Sequence, residues 1–226
     1  PFVKGHITGP FTFGLGITDK ENKPAWFYKD YKEIIMKGLA GKAVWQINQL
    51  KQCADKVIIF IDEPILSTIG TPPYLTIEDK DIINCLNNII EPIRDQGALA
   101  CIHCCANTNW GVIAETKTDF ISFDAYFYGD KISLYTQKIS DFIKRGGRFA
   151  WGIIPTTIPN TEKKMFNNET ANTLKAKIYE LISLMRNRKI DPGNLGENLL
   201  LTPSCGMKNL TCEEAEKVLE LLSQCN

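Results

Sequence analysis

The sequence predicts an α/β protein, specifically a (β/α)8 barrel of which this chain contains six βα units. Three observations lead to this prediction: short apolar runs alternate with helical periodicities, reactive residues follow several of the runs, and no glycine-rich dinucleotide-binding turn follows a strand. We expect residues 1–226 to form a single barrel domain. A complete barrel has eight strands and about 250 residues, so the first two βα units are expected to be missing.

Six runs rich in Val, Ile, Leu and Phe are predicted to be parallel strands buried on both faces, because apolar residues continue through them without polar alternation. The runs are 2–7, 56–61, 98–103, 119–124, 148–154 and 198–203. Between them, apolar residues recur every three or four positions, which predicts helices that cover the sheet with one face. These stripes are Tyr31, Ile35, Leu39, Ala43, Ile47 and Leu50; Ile82, Leu86, Ile89 and Ile93; Ile132, Tyr135, Ile139 and Phe142; Leu174, Ile178, Leu181 and Met185; and Ala215, Val218 and Leu222.

Local signals add detail to three of the helices. A brief helix is expected near Trp110–Glu115, between the third and fourth strands. Thr76 with Asp79, and Thr211 with Glu214, have the spacing of capping boxes and mark the expected starts of the second and the last stripe.

Composition and charge argue against several classes of function. The chain has 26 Lys and Arg against 26 Asp and Glu, so there is no basic field for nucleic acid. No run of 18 apolar residues exists, so no membrane span is expected. Eight cysteines in 226 residues are too dilute for a disulfide scaffold, which favours a reducing, cytoplasmic compartment.

The segment CIHCCANTNW, residues 101–110, suggests metal chemistry. His103 and Cys105 lie two positions apart in an extended segment, so their side chains are expected to project to the same side. Cys205, just after the last strand, would supply a third ligand from the same barrel rim. A His, Cys and Cys set leaves the fourth position on Zn²⁺ open, as in catalytic zinc sites. The alternative is that these thiols are buried as small hydrophobic residues.

Five motifs together resemble the catalytic domain of the cobalamin-independent methionine synthase family, within the wider group of uroporphyrinogen decarboxylase-like barrels. The motifs run in family order and cover nearly the whole chain: KGHITGPFT (4–12), IDEP (61–64), IHCC (102–105), ISFDAY (121–126) and TPSCGM (202–207). The resemblance matches the first strand of this chain to the family's third strand. It therefore implies the same two missing units as the strand count.

The resemblance implies a zinc site and a substrate site. It matches the family's zinc ligands to His103, Cys105 and Cys205, and it places Asp124 where the family has a ligating glutamate. Because Asp124 is shorter by one CH₂ group, ligation and a structural hydrogen-bonding role are both open. Asp62 matches the acidic residue that holds the amino group of homocysteine. Asp62 and its neighbour Glu63 are the substrate-binding candidates, with pairing to Lys or Arg as the alternative.

The implied function is zinc-dependent methyl transfer to a thiol, with homocysteine as the expected acceptor and methionine as the product. The expected methyl donor is a methylcorrinoid protein or methylfolate. Methyl transfer to coenzyme M and a non-catalytic zinc- or partner-binding barrel are the alternatives, whereas a uroporphyrinogen decarboxylase activity needs no metal and fits least. Because the family's first strand carries backbone contacts to homocysteine, the 226-residue chain is expected to turn over poorly.

Overall fold

The computed structural model describes residues 2–157, 161, 164–193 and 199–225. The strands are β1 (Phe2–Thr8), β2 (Lys56–Asp62), β3 (Leu99–Cys104), β4 (Phe120–Phe123), β5 (Arg148–Ile154) and β6 (Leu199–Pro203). The helices are α1 (Pro10–Gly16), α2 (Lys29–Leu50), α3 (Asp79–Asp95), α4 (Trp110–Glu115), α5 (Ala125–Ile132), α6 (Thr136–Lys144), α7 (Ala171–Asn187) and α8 (Cys212–Cys225). All six predicted strands are present; Asn198, at the start of the last predicted run, lies outside the described residues.

The strands are arranged in the order in which they occur in the chain, β1-β2-β3-β4-β5-β6. The pairs β1–β2, β2–β3 and β5–β6 are parallel. In doubly wound sheets the strand order reverses at a switch point, whereas in a β/α barrel it follows the chain. The fold class is therefore α/β, with a parallel sheet that agrees with part of a barrel; eightfold closure stays a prediction.

The chain divides into two compact units, which we call the first and second unit. The first comprises Pro1–Cys104 with Thr108–Ile121, and the second comprises Cys105–Asn107 with Ser122–Asn226. Within each unit, apolar stripes on the helices are buried, largely as predicted. The buried stripe residues are Ile35, Leu39, Ala43 and Ile47 of α2; Ile82, Leu86, Ile89 and Ile93 of α3; Ile139 and Phe142 of α6; Leu174, Ile178, Leu181 and Met185 of α7; and Val218 of α8.

The prediction that every strand is buried on both faces is wrong for β1. Lys4, His6 and Thr8 are exposed, whereas Gly5 and Ile7 are buried. Polar residues at every second position leave only one face of β1 that can pack in the core. The other face of β1 is polar and accessible to solvent.

One predicted helix start is correct and the other is displaced. At α8, the Glu214 N–H donates to the Thr211 hydroxyl at 3.3 Å, and the Thr211 N–H donates to the Glu214 carboxylate at 2.8 Å. At α3, the residue before the helix is Glu78 rather than Thr76, and its N–H donates to the Asp81 carboxylate at 3.4 Å. Both pairs have the reciprocal geometry of a capping box, in which an acidic side chain at the third helical position bonds back to the cap residue.

Gly152 sits at an irregularity in the pairing of β5 with β6, and an alanine there is expected to destabilise the protein. An added Cβ atom would lie 2.7 Å from the Ser204 Cα and 2.9 Å from the Phe123 carbonyl oxygen, and backbone atoms cannot rotate away. We expect Gly152→Ala to lower the free energy of unfolding in urea by about 2–4 kcal/mol.

The matched control is Gly41→Ala in α2, where an added Cβ has no atom within 4 Å. Alanine has the higher helix propensity, so this variant should be more stable by up to about 1 kcal/mol. A Gly152→Ala variant as stable as the wild type would contradict the close backbone packing.

Candidate functional site

In the first unit, the carboxyl ends of three strands bring Thr8, Asp62 and His103 into one row. Thr8 is the register partner of Asp62, and Asp62 is the register partner of His103. The Gly9 N–H donates to the Asp62 carbonyl at 2.8 Å, and the Glu63 N–H donates to the His103 carbonyl at 2.8 Å. Register partners project to the same side of a sheet, so the three side chains share one face.

Asp62 presents a carboxylate on this face that has no hydrogen-bond or ion-pair partner within the described ranges. Burial raises its pKa, and the positive charges of Lys4 and His6 oppose that shift. Among the residues that the structure describes, its side chain makes no hydrogen bond and no ion pair. Asp62 is therefore available to bind a positively charged group.

Glu63 differs from Asp62 because both of its carboxylate oxygens are already engaged. The side chain is fully buried. Oε1 accepts the Phe11 N–H at 2.8 Å, and Oε2 accepts the Thr12 N–H at 2.8 Å and the Thr12 hydroxyl at 2.6 Å. These donors belong to the first turn of α1, where a negative charge is favourable. An added Cβ at Gly9 would lie 2.3 Å from Glu63, so only glycine allows this approach. The geometry gives Glu63 a structural role; its contact with a substrate stays a prediction.

The cysteines around the end of β3 have different environments. Cys101 and Cys104 are fully buried, as is common for thiols that act as small hydrophobic residues. His103 and Cys105, the two predicted zinc ligands here, are partly exposed. None of the eight cysteines, all of which lie within the described ranges, forms a disulfide.

In the second unit, Asp124 and Cys205 lie close enough to interact electrostatically. Asp124 is 5% exposed, precedes α5, and accepts the Phe127 N–H at 2.9 Å. Burial raises the pKa of Asp124 to about 7, and the charge of the Cys205 thiolate adds to that shift. Asp124 thus caps a helix, which was one of its two predicted roles, and it also lies near a predicted zinc ligand.

Ser204 fixes the backbone immediately before the exposed Cys205. The Ser204 N–H donates to the Ile154 carbonyl at 2.8 Å, and the Ser204 hydroxyl accepts the Thr156 N–H at 3.2 Å. With the close approach of Gly152, these contacts anchor the end of β6 to the end of β5. Cys205 is therefore held at a defined position although its side chain is open to solvent.

Sequence reasoning missed a polar network beside Asp124. The Tyr126 hydroxyl donates to the Glu169 carboxylate, and the Lys177 Nζ lies 4.7 Å from the centre of the Tyr126 ring. Burial, followed by the bond to Glu169, raises the pKa of Tyr126 to about 12. Tyr126 stands in the ISFDAY motif, but no spacing signal links it to residues more than 40 positions away.

The described residues contain no group of three or more His, Cys, Asp and Glu side chains arranged to hold a metal ion. Convergence of the predicted ligands on one ion therefore stays a prediction. The donor types nevertheless fit zinc, which binds imidazole nitrogen, thiolate and carboxylate. When both groups are ionised, the nearby Asp124 and Cys205 also repel each other, and a shared cation would relieve that repulsion.

In the described ranges, no helix has both the length and the apolar character that a membrane crossing requires.

Comparisons with known proteins give a distant similarity that runs along almost the entire chain. No family model matches the sequence. Over 216 residues the chain is 27% identical to a methionine synthase of Methanocaldococcus jannaschii. The aligned region covers 94% of this chain but only 60% of the relative. The similarity points to a methionine synthase-like protein and, at this coarser level, to methyl transfer.

Proposed function

We propose that this protein is a methyltransferase that uses zinc to activate a thiol, and that the thiol is homocysteine. The observation that carries the proposal is the 27% identity to a methionine synthase over 94% of the chain. The chain spans about 60% of that relative's length, so the activity of the whole relative is itself part of the proposal. A methylcorrinoid protein or methylfolate is the proposed donor.

His103, Cys105 and Cys205 would hold the zinc ion, with Asp124 as a candidate fourth ligand. Their donor types and the neighbouring charges of Asp124 and Cys205 support this assignment. Bound zinc would supply a Lewis acid that takes up a substrate thiol as its thiolate near neutral pH.

The other residues of the chain hold and orient the reacting groups. Asp62 receives the ammonium group of the substrate, since its carboxylate has no partner among the described residues. Glu63 fixes the first turn of α1 beside the end of β1. Ser204 holds the backbone next to Cys205.

A non-catalytic barrel that binds zinc or a partner is the second candidate. Its partner-binding form is favoured by one observation: the described residues are not gathered into a three-ligand metal group. The two candidates differ in whether an external thiol joins the metal.

The test is zinc-edge X-ray absorption of the zinc-loaded protein before and after addition of homocysteine. We expect one additional sulfur neighbour, together with release of about one proton per bound thiol near pH 7, because the metal takes the thiolate. Homoserine, which has oxygen in place of sulfur, is the matched control and should give neither signal. Unchanged zinc coordination with homocysteine and with coenzyme M would exclude thiol activation and favour the non-catalytic barrel.

A further inference from the structure

We propose that Lys4 binds the carboxylate of an α-amino acid thiol whose ammonium group is bound by Asp62. The two residues belong to the β1–β2 face, which we define as Lys4, His6, Phe60 and Asp62. This inference rests on the proposed function and names its substrate class: thiols that carry both an ammonium and a carboxylate group.

The Lys4 side chain runs along the sheet in the direction of the carboxyl ends of the strands. Lys4 is the register partner of Ile58, yet its Nζ lies 4.0 Å from the centre of the Phe60 ring. Phe60 is two residues further along β2 and two residues before Asp62. The side chain therefore extends along the sheet towards Asp62 rather than away from it.

The charges of Lys4 and Asp62 are both available for a ligand. Lys4 is exposed, and its ammonium group lies over the Phe60 ring and makes no hydrogen bond or ion pair among the described residues. The Asp62 side chain makes no hydrogen bond or ion pair in the same part of the chain. The Lys4 charge nevertheless reaches Asp62 and acts on it more strongly than the His6 charge does. Within the described part of the chain, the face thus offers a cation and an anion that have no ion-pair partner and whose charges influence each other.

An α-amino acid group complements this pair of charges. Its ammonium and carboxylate groups are attached to one carbon atom, so Asp62 and Lys4 can bind them simultaneously with charge-assisted hydrogen bonds. A sulfonate thiol such as coenzyme M could contact Lys4 but has no ammonium group for Asp62, so it would complement only one of the two charges. Asp62 is also the register partner of His103, about 4.8 Å away between neighbouring strands, so the amino acid end would lie next to a proposed zinc ligand.

The test compares three thiols on the zinc-loaded protein by calorimetric titration. Homocysteine carries both charges, 3-aminopropane-1-thiol carries only the ammonium, and 4-sulfanylbutanoate carries only the carboxylate. Lys4→Gln should weaken the binding of homocysteine and of 4-sulfanylbutanoate about tenfold and leave the affinity for 3-aminopropane-1-thiol unchanged. Asp62→Asn should weaken the binding of homocysteine and of 3-aminopropane-1-thiol. Lys42→Gln, at an exposed lysine in α2, is the matched control and should change none of the three affinities.

A second measurement needs neither zinc nor a thiol. L-2-Aminobutyrate should bind weakly to the metal-free protein, as followed by ligand NMR, and Lys4→Gln should weaken that binding about tenfold. If homocysteine binds both Lys4→Gln and the wild type equally, the Lys4 assignment is wrong while thiol activation stands. If no thiol binds but aminobutyrate binding depends on Lys4, the amino acid site stands and the proposed methyl transfer falls. If aminobutyrate binding is absent or independent of Lys4, the assignment is overturned.

Discussion

A Glu63→Ala variant should be less stable to urea than the wild type by about 3–4 kcal/mol. The substitution removes the acceptor of three hydrogen bonds from Phe11 and Thr12, and the donors would remain in a buried site. It also leaves a cavity where the side chain was fully enclosed. Each buried unsatisfied donor costs about 1–3 kcal/mol, and the lost packing adds to that cost.

The control for this prediction is Glu33→Ala. Glu33 forms an exposed ion pair with Lys37 one helical turn away in α2. Exposed pairs of this kind contribute little, so the loss should stay below about 1 kcal/mol. Equal effects of the two substitutions would show that Glu63 is not an important buried acceptor.

Glu63 should also make the stability of the protein depend on pH. Burial raises the pKa of Glu63 to about 7, above its ordinary 4.5, although the hydrogen bonds from Thr12 and Phe11 act in the opposite direction. Between pH 4.5 and 7 the folded protein therefore holds a proton that the unfolded chain releases. The contribution of Glu63 is fully present below pH 4.5 and is lost as the pH rises through 7. Glu63→Gln should lack this contribution, whereas that of Asp124, whose pKa burial also raises to about 7, should remain; urea unfolding of both proteins between about pH 4 and 8 would measure the difference.

The arrangement of strands and helices was largely predictable because hydrophobic periodicity indicates which side chains are buried when the chain folds. The α3 stripe of Ile82, Leu86, Ile89 and Ile93 is buried as predicted, since each position falls on one side of a helix with 3.6 residues per turn. β1 was misjudged because Phe2, Val3 and Ile7 suggested a continuous apolar run. The alternation of Lys4, His6 and Thr8 with their buried neighbours was the better signal.

The candidate site was less predictable because its contacts join residues that are distant in the chain. Asp62 stood out in sequence because a strand ends in IDEP, and in the structure its carboxylate has no partner among the residues described. Nothing in the spacing distinguishes Glu63 as a helix cap, because its donors lie 51 and 52 positions earlier. Likewise, the orientation of Lys4 over Phe60 depends on the parallel register of β1 and β2, which only the fold supplies.

Loss of zinc is the expected result of replacing Cys205 by alanine. The wild-type protein should bind about one zinc ion per chain, as expected for one set of His, Cys and Cys ligands. Removing one of three protein ligands leaves too few donors to retain the ion against a chelator. Elemental analysis after dialysis against a weak chelator would measure the zinc content.

Two other cysteine substitutions separate ligation from general effects of a lost thiol. Cys53 is exposed like Cys205, and Cys53→Ala should retain zinc. Cys101 is buried, so Cys101→Ala should cost some stability but also retain zinc.

An Asp124→Asn variant distinguishes the two proposed roles of Asp124, zinc ligand and helix cap. It keeps a cap acceptor for the Phe127 N–H but removes the charge beside Cys205. Zinc lost from Asp124→Asn would assign Asp124 to the metal, whereas zinc retained would assign it to the helix cap. Full zinc occupancy in Cys205→Ala would refute the proposed ligand set.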